Sequence, residues 1–234
     1  MSIKERLSAI QVRIADAAAA SGRAPSKIRL IAVSKTHPSE AIQEAYTLGQ
    51  KTFGENYADE LAEKCSQLHQ LTDLNWVFIG QLQSNKIQKI VKHADEIQSI
   101  ASEKHARYVQ RYADEFKKTN FPVWIVVNAA GEETKLGLPL SEVPALSDFI
   151  INNCPNLSLE GIMAIPPPEF SDNSCSSGEK SSPPELYRSL RKVASNTGHG
   201  KLSLGMTGDL QIAIAAGSDC VRIGTAIFGE RQKK

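Results

Sequence analysis

The sequence predicts an α/β fold in which eight parallel strands, with helices between them, close into a (β/α)8 barrel. Short apolar segments alternate strictly with amphipathic helical segments along the chain, which is typical of a parallel sheet. Eight strand segments are the number that closes such a barrel. A length of 234 residues suits one barrel, so we expect residues 1–234 to form a single domain. A doubly wound open sheet is the alternative, although no Gly-x-Gly-x-x-Gly motif follows the first strand.

The predicted strands are short runs of apolar and β-branched residues bounded by turn residues. They cover residues 28–33, 51–53, 76–79, 96–100, 122–127, 157–165, 201–204 and 220–223. Apolar residues at every third or fourth position predict helices over residues 39–48, from the turn at 54–57 to about 71, and over 83–93, 102–118, 140–152, 184–196 and 209–216.

Two segments lie outside the alternating pattern. Residues 3–20 form an additional amphipathic helix before the first strand, and we expect it to cover the amino-terminal side of the barrel as a lid. Residues 166–184 are rich in Pro and Ser and predict a mobile, protease-sensitive loop after the sixth strand.

Composition argues against several classes of function. A net charge of +1 indicates no excess of basic residues for binding nucleic acid or a membrane surface. No apolar run is long enough to span a bilayer. The five histidines show no metal-binding spacing. The cysteines form no Cys-x-x-Cys pair, and no signal peptide is evident, so we expect free thiols in a reducing cytoplasm: Cys65, Cys154, Cys175 and Cys220.

Lys35 is the first candidate for chemistry. The first strand stops near Ser34, and Pro38 can begin a helix, so Lys35 falls at the carboxyl end of the strand, the edge where barrels bind ligands. A partly desolvated lysine is readily neutral, and a neutral amine can attack an aldehyde. Taken alone, the position also suits an ordinary surface lysine.

The loops after the seventh and eighth strands form the usual phosphate site of such barrels. Glycines and hydroxyl side chains are concentrated there: Ser203, Gly205, Thr207, Gly208, Gly224 and Thr225. Glycine lets the backbone approach a ligand, and Thr207 is expected to cap the next helix. Ordinary strand-to-helix turns have a similar composition, so both interpretations remain open.

Arg222 lies within an apolar strand, where an unpaired charge is costly. It could form a structural ion pair, or it could donate to a ligand in the barrel mouth. Because arginine does not release its proton, it would keep a pyridine nitrogen unprotonated. A lysine amine, a phosphate site and a pyridine partner together describe a site for pyridoxal 5′-phosphate (PLP).

Six motifs in order extend this interpretation over residues 28–229. They are Ala-Val-Ser-Lys-Thr (32–36), Phe-Gly-Glu-Asn-Tyr (53–57), Phe-Ile-Gly-Gln-Leu-Gln-Ser-Asn-Lys (78–86), Gly-Ile-Met-Ala-Ile (161–165), Leu-Ser-Leu-Gly-Met-Thr-Gly-Asp (202–209) and Val-Arg-Ile-Gly-Thr-Ala-Ile-Phe-Gly (221–229). With them the chain resembles the pyridoxal phosphate homeostasis proteins. These look like the barrel domain of alanine racemase (PLP fold type III) without its second domain.

The resemblance implies that Lys35 holds PLP as a Schiff base, that Asn56 lies beside the cofactor and that Arg222 lies near the pyridine nitrogen. It also implies that five residues surround the phosphate: Ser203, Gly205, Met206, Gly224 and Thr225. The chain departs from the family at Val77, where a histidine is common, and at Thr207, where Ser or Ala is common. The first departure puts in doubt any role for that histidine.

The function implied is binding and buffering of PLP, within vitamin B6 and amino-acid homeostasis, with no established catalytic reaction. Apoenzymes that use PLP would be the acceptors, and we expect a cytoplasmic monomer. A racemase is the alternative, and it needs a second base opposite Lys35. Tyr57 is the nearest candidate, since the chain ends at Lys234 and we expect the domain that supplies this tyrosine in two-domain relatives to be absent. A phosphate-binding barrel without PLP is a third possibility.

Overall fold

The computed structural model of the chain describes residues 1–129, 137–167, 170 and 183–230. Most of the predicted Pro/Ser-rich loop (168–169 and 171–182) and Cys175 lie outside these residues. The expected mobility and protease sensitivity of that loop therefore stay predictions.

Eight parallel strands follow one another around a closed barrel in chain order. They are β1 (Arg29–Val33), β2 (Thr52–Glu55), β3 (Asn75–Phe78), β4 (Glu96–Ile100), β5 (Phe121–Val127), β6 (Leu157–Ala164), β7 (Lys201–Ser203) and β8 (Cys220–Ile223). Because β1 pairs with β8 as well as with β2, the sheet has no open edge. The prediction of a barrel is confirmed, and the open sheet was the wrong alternative.

Helices alternate with these strands on the outside of the barrel. They are α1 (Ile3–Ala20), α2 (Ser39–Thr47), α3 (Ala58–Gln67), α4 (Ile87–His93), α5 (Glu103–Glu115), α6 (Val143–Asn153), α7 (Glu185–Ser195), α8 (Leu210–Ala215) and α9 (Thr225–Phe228). Short 3-10 turns cover Pro25–Lys27 and Leu140–Glu142. The four-residue α9 was not predicted, because one turn is too short to show helical periodicity.

The additional helix α1 does not cover the amino-terminal side of the barrel, and the prediction of a lid there was wrong. It packs along the outer wall against α8, α9 and α2. Arg13 on α1 donates to the carbonyl oxygen of Thr207, beyond the carboxyl end of β7, at 3.0 Å. Arg23, just after α1, binds Asp219 before the start of β8 at 2.9 Å. The helix therefore runs the height of the barrel, because its buried stripe finds apolar partners on the neighbouring helices.

The main apolar core lies between the barrel and the helix ring. Outward-facing strand residues such as Phe53 and Phe78 pack there against buried helix residues such as Leu61 and Ile90. Each helix buries one stripe in this way, as amphipathic periodicity predicts. None of the helices in the described ranges combines the length and apolar content needed to cross a membrane.

Inside the barrel, apolar residues form two separate clusters. Ile31, Val33, Val77, Ile79 and Cys220 form one cluster. Trp124, Val126 and Met163 form the second. Val77 is therefore an interior packing residue in this chain.

Candidate functional site

Lys35 lies where β1 gives way to a tight turn. The amide of Ser34 donates to the carbonyl oxygen of Gly54 at 3.0 Å, which extends the β1–β2 pairing one residue beyond β1. Thr36 then adopts a left-handed backbone conformation with a φ of 65°, and the chain turns away toward Pro38 and α2. Lys35 itself is half-buried at this carboxyl edge. The predicted position of Lys35 at the barrel mouth is therefore the observed one.

Asn56 belongs to the same edge. Val33 pairs with Gly54, so continuing the parallel register places Lys35 level with Asn56. The side-chain Oδ1 of Asn56 is buried and has no hydrogen-bond partner within the described ranges. A buried acceptor without a partner is costly, and a ligand donor would satisfy it.

Arg222 points its guanidinium toward the mouth from β8 and is only 4% exposed. Its Nη1 donates to Ser203 Oγ at 2.6 Å, and its Nη2 donates to the carbonyl oxygen of Ala164 at 2.7 Å. Among the described residues no carboxylate pairs with it, so the structural ion pair is not the arrangement seen there. Burial lowers the pKa of this guanidinium, yet arginine stays charged at neutral pH.

A polar chain continues from Arg222 down through the barrel. Ser203 Oγ donates to Gln98 Oε1 at 2.8 Å, and Gln98 Nε2 donates to Glu96 Oε1 at 2.6 Å. Glu96 accepts two hydrogen bonds from the guanidinium of Arg29, at 2.6 and 2.7 Å. We did not predict this chain, although polar residues at alternate positions of β4 are the signal of a polar strand face turned inward.

The turn between β7 and α8 differs in detail from the prediction. Asp209, not Thr207, occupies the N-cap position of α8, and its Oδ1 accepts the amide of Met206 at 2.8 Å. Gly205 has a φ of 106°, and a Cβ there would lie 2.7 Å from that of Ala213. Gly205 is therefore required for packing against α8 as well as for the shape of the turn.

Gly224 and Thr225 lie beside this turn. The amide of Arg222 donates to the carbonyl oxygen of Gly205 at 2.9 Å, which holds the ends of β7 and β8 together. Thr225 is exposed at the start of α9. Ser203, in contrast, is fully buried, and its hydroxyl is engaged with Arg222 and Gln98. The structure thus brings the predicted loops together and places the Ser203 side chain beneath Arg222.

The comparisons with known proteins agree with this architecture. The family model for the N-terminal domain of alanine racemase matches residues 6–232. The pyridoxal phosphate homeostasis protein of Pseudomonas aeruginosa is 39% identical over 98% of this chain and 96% of its own. The chain belongs to the pyridoxal phosphate homeostasis protein family, within the alanine racemase N-terminal domain group.

Two solved structures show the same fold. PipY of Synechococcus elongatus, in its structure with PLP bound, superposes with a TM-score of 0.76 at 31% identity, over 97% of this chain and 100% of PipY. An alanine racemase of Bartonella henselae with covalently bound PLP superposes with a TM-score of 0.71 over all of this chain and 62% of its own. Since its identity is 16%, the racemase shows the fold alone. The predicted barrel type and family are confirmed.

Proposed function

We propose that this protein binds PLP as a Schiff base on Lys35 and carries or buffers the cofactor within vitamin B6 and amino-acid homeostasis. The observation that carries the proposal is Arg222, a buried guanidinium at the barrel mouth that pairs with no carboxylate of the described residues. The hydrogen bonds to Ser203 and Ala164 use only part of its five N–H donors, and a cofactor nitrogen at the mouth would accept from a remaining one. The family and the PLP-bound PipY structure support the same ligand.

The covalent step is a condensation. The neutral Nζ of Lys35 attacks the aldehyde carbon of PLP, a carbon–nitrogen double bond forms, and the carbonyl oxygen leaves as water. No oxidant or reductant takes part. The half-buried position of Lys35 at the carboxyl end of β1 suits this step, because it places the amine at the edge where barrels bind their ligands.

The other residues divide between the two ends of the cofactor. Arg222 faces the pyridine nitrogen and, since it only donates hydrogen bonds, keeps that nitrogen unprotonated. Ser203 orients Arg222 through the 2.6 Å contact, and Asn56 offers its unpartnered Oδ1 to the cofactor. The phosphate lies against the turns of Gly205, Met206, Gly224 and Thr225, which the paired ends of β7 and β8 bring side by side.

We propose that residues 1–234 act as one PLP-binding domain, as a cytoplasmic monomer, and that apoenzymes receive the cofactor. The free thiols of Cys65, Cys154 and Cys220 support a reducing compartment. The alternative is an amino-acid racemase, in which Lys35 and Tyr57 would be the two bases. Tyr57, the candidate second base, is 56% exposed, which is less favourable for controlled proton transfer.

The test is the visible absorption of the purified protein incubated with PLP. We expect a yellow protein whose colour is lost on borohydride reduction, with the pyridoxyl label on the peptide that contains Lys35. Lys35→Ala should lose the colour and keep the fold, because a half-buried side chain at the mouth contributes little to the core. Lys86→Ala is the matched control, since Lys86 lines a groove beside Asn56. A label on any other lysine would overturn the assignment.

A further inference from the structure

A buried charged cluster lies directly behind the turn that contains Lys35. The side chain of Lys64 on α3 is 5% exposed, and that of Glu55 at the end of β2 is fully buried. The Nζ of Lys64 donates to Glu55 Oε1, to Glu60 Oε1 and to the carbonyl oxygen of Ser34, each at 2.7 Å. All three donors of this ammonium are therefore used within the protein.

The same cluster holds the residues on both sides of Lys35. Ser34 Oγ donates to Glu55 Oε1 at 2.6 Å, and the Ser34 carbonyl accepts from Lys64. The amide of Thr36 donates to Glu60 Oε1 at 2.6 Å. Thr36 has a φ of 65°, a conformation that a β-branched residue rarely adopts without support from its surroundings.

We propose that Lys64, Glu55 and Glu60 form a clamp that fixes the backbone at Ser34 and Thr36 and thereby presents Lys35 to PLP. They act as positioning residues, since their described contacts are with the protein. The inference rests on the proposed function, because it assigns a role to Lys35 in holding the cofactor. It extends that function by naming residues outside the cofactor's own contacts that set PLP affinity.

Stability alone is a poor reason for such a cluster. Moving an ammonium and two carboxylates out of water is expensive, and apolar residues of similar volume often stabilise a protein as well or better. One oxygen of the cluster, Glu55 Oε2, is buried and has no partner among the described atoms, an additional cost. What the cluster does provide is a fixed backbone orientation on both sides of Lys35. Several hydrogen bonds converge on the residues before and after Lys35, and a left-handed turn is held between them.

The experiment uses Glu60, because its side chain is 22% exposed and its loss threatens folding less than the loss of Lys64. Glu60→Ala removes the acceptor for the Thr36 amide, whereas Glu60→Gln keeps an oxygen there. Glu63→Ala is the matched control on the same helix; Glu63 is exposed and accepts a hydrogen bond from Gln67. The readouts are amide hydrogen exchange at Thr36 in the PLP-free protein and the dissociation constant for PLP.

We expect Glu60→Ala to speed exchange at Thr36 and to weaken PLP binding, each by about tenfold, the scale of one lost charge-assisted hydrogen bond. Glu63→Ala should stay within about twofold of wild type, and Glu60→Gln, which keeps a neutral acceptor but loses the ion pair with Lys64, should lie between the two. Unchanged exchange in a folded Glu60→Ala protein, or faster exchange with unchanged PLP affinity, would overturn the clamp. A wild-type protein that forms no coloured adduct would instead overturn the proposed function, so the two failures are distinguishable.

Discussion

Arg222 Nη1 lies 2.6 Å from Ser203 Oγ, and this contact joins the barrel mouth to a polar chain that ends at Arg29 near the opposite end of the barrel. Each link between them is a side-chain hydrogen bond of 2.6 to 2.8 Å. A guanidinium anchored in this way has few rotamers available. Its remaining N–H groups are therefore held ready for a ligand before the ligand arrives, which lowers the ordering cost of binding.

The first prediction concerns Ser203, which anchors this guanidinium. Ser203→Ala removes an acceptor from Arg222 and leaves Gln98 Oε1 without its donor. We expect PLP affinity to fall by about tenfold. Without Ser203 the guanidinium is mobile, and the free energy needed to fix it reduces the free energy of binding. A PLP titration followed by absorbance measures the effect. Ser158→Ala is a control on β6, and its hydroxyl contacts only Glu160 and His199 among the described residues. Equal PLP affinity in the Ser203 variant and wild type would contradict the anchoring role.

The second prediction concerns the ion pair between Arg29 and Glu96. The carboxylate of Glu96 is 4% exposed, whereas the guanidinium of Arg29 is 38% exposed. Arg29→Met leaves a buried carboxylate without its cation, and we expect it to lower the free energy of unfolding by about 3 kcal/mol, at the low end for broken buried pairs. Arg107→Met, which breaks an exposed pair of 3.5 Å with Glu103, should cost at most about 0.5 kcal/mol. Urea unfolding of both variants measures these losses. Equal losses of unfolding free energy would contradict the difference between the buried and the exposed pair.

The third prediction concerns the thiol of Cys65. Burial, together with the negative charges of Asp95 and Glu55, raises its pKa to about 12. At pH 8 only about one molecule in ten thousand would then carry the reactive thiolate, against roughly a quarter for an ordinary thiol. Iodoacetamide at pH 8 should leave Cys65 unmodified in the folded protein and alkylate it in urea, as peptide mass spectrometry can show. Rapid native alkylation would contradict the shift.

The same shift has a consequence for stability at high pH. The unfolded thiol ionises near its ordinary pKa of about 8.5, whereas the folded thiol holds its proton until about pH 12. Between these values the folded state binds more protons than the unfolded state, so stability falls as pH rises. Cys65→Ala should lose less stability over this interval than wild type.

Strand positions were predictable to within one or two residues, because buried parallel strands are apolar runs between turns. The strands at 96–100 and 220–223, for example, match β4 and β8. Lys35 was equally predictable, since the end of a barrel strand is fixed by the strand itself. Residues defined by contacts across the fold were not. Nothing in the sequence of α3 marks Lys64 as buried, because its partners Ser34 and Glu55 come from other segments.

Local signals also competed at the β7–α8 turn. Thr207 was the predicted cap, yet Asp209, two residues later, is an equally good N-cap residue type. In the structure Asp209 occupies the N-cap position. Its Oδ2 accepts a 2.7 Å hydrogen bond from the hydroxyl of Tyr187, a buried residue of α7. That tertiary contact is invisible to a local sequence pattern.

The fourth prediction is that the protein is not an efficient racemase or transaminase. PLP makes the α-proton of an attached amino acid acidic by drawing charge into its ring. In the proposed arrangement Arg222 would keep the ring nitrogen unprotonated, and an unprotonated nitrogen draws that charge less strongly, which disfavours transamination and decarboxylation. Racemisation would remain possible with two bases on opposite faces of the α-carbon. Lys35 can supply one base, while Tyr57, the candidate for the other, is 56% exposed and open to water.

The exposure of Tyr57 argues in the same direction, because a base in contact with water favours exchange of the cofactor over sequestered chemistry. We therefore expect PLP-loaded protein, incubated in deuterated water with common L- and D-amino acids, to exchange α-protons and to change chirality far more slowly than typical enzymes. Those turn over at about 1 to 1,000 per second. Tyr57→Phe is the informative variant, since a tyrosine acting as second base would lose its residual racemisation. Turnover in the enzymatic range that depends on Tyr57 would make the racemase the better description.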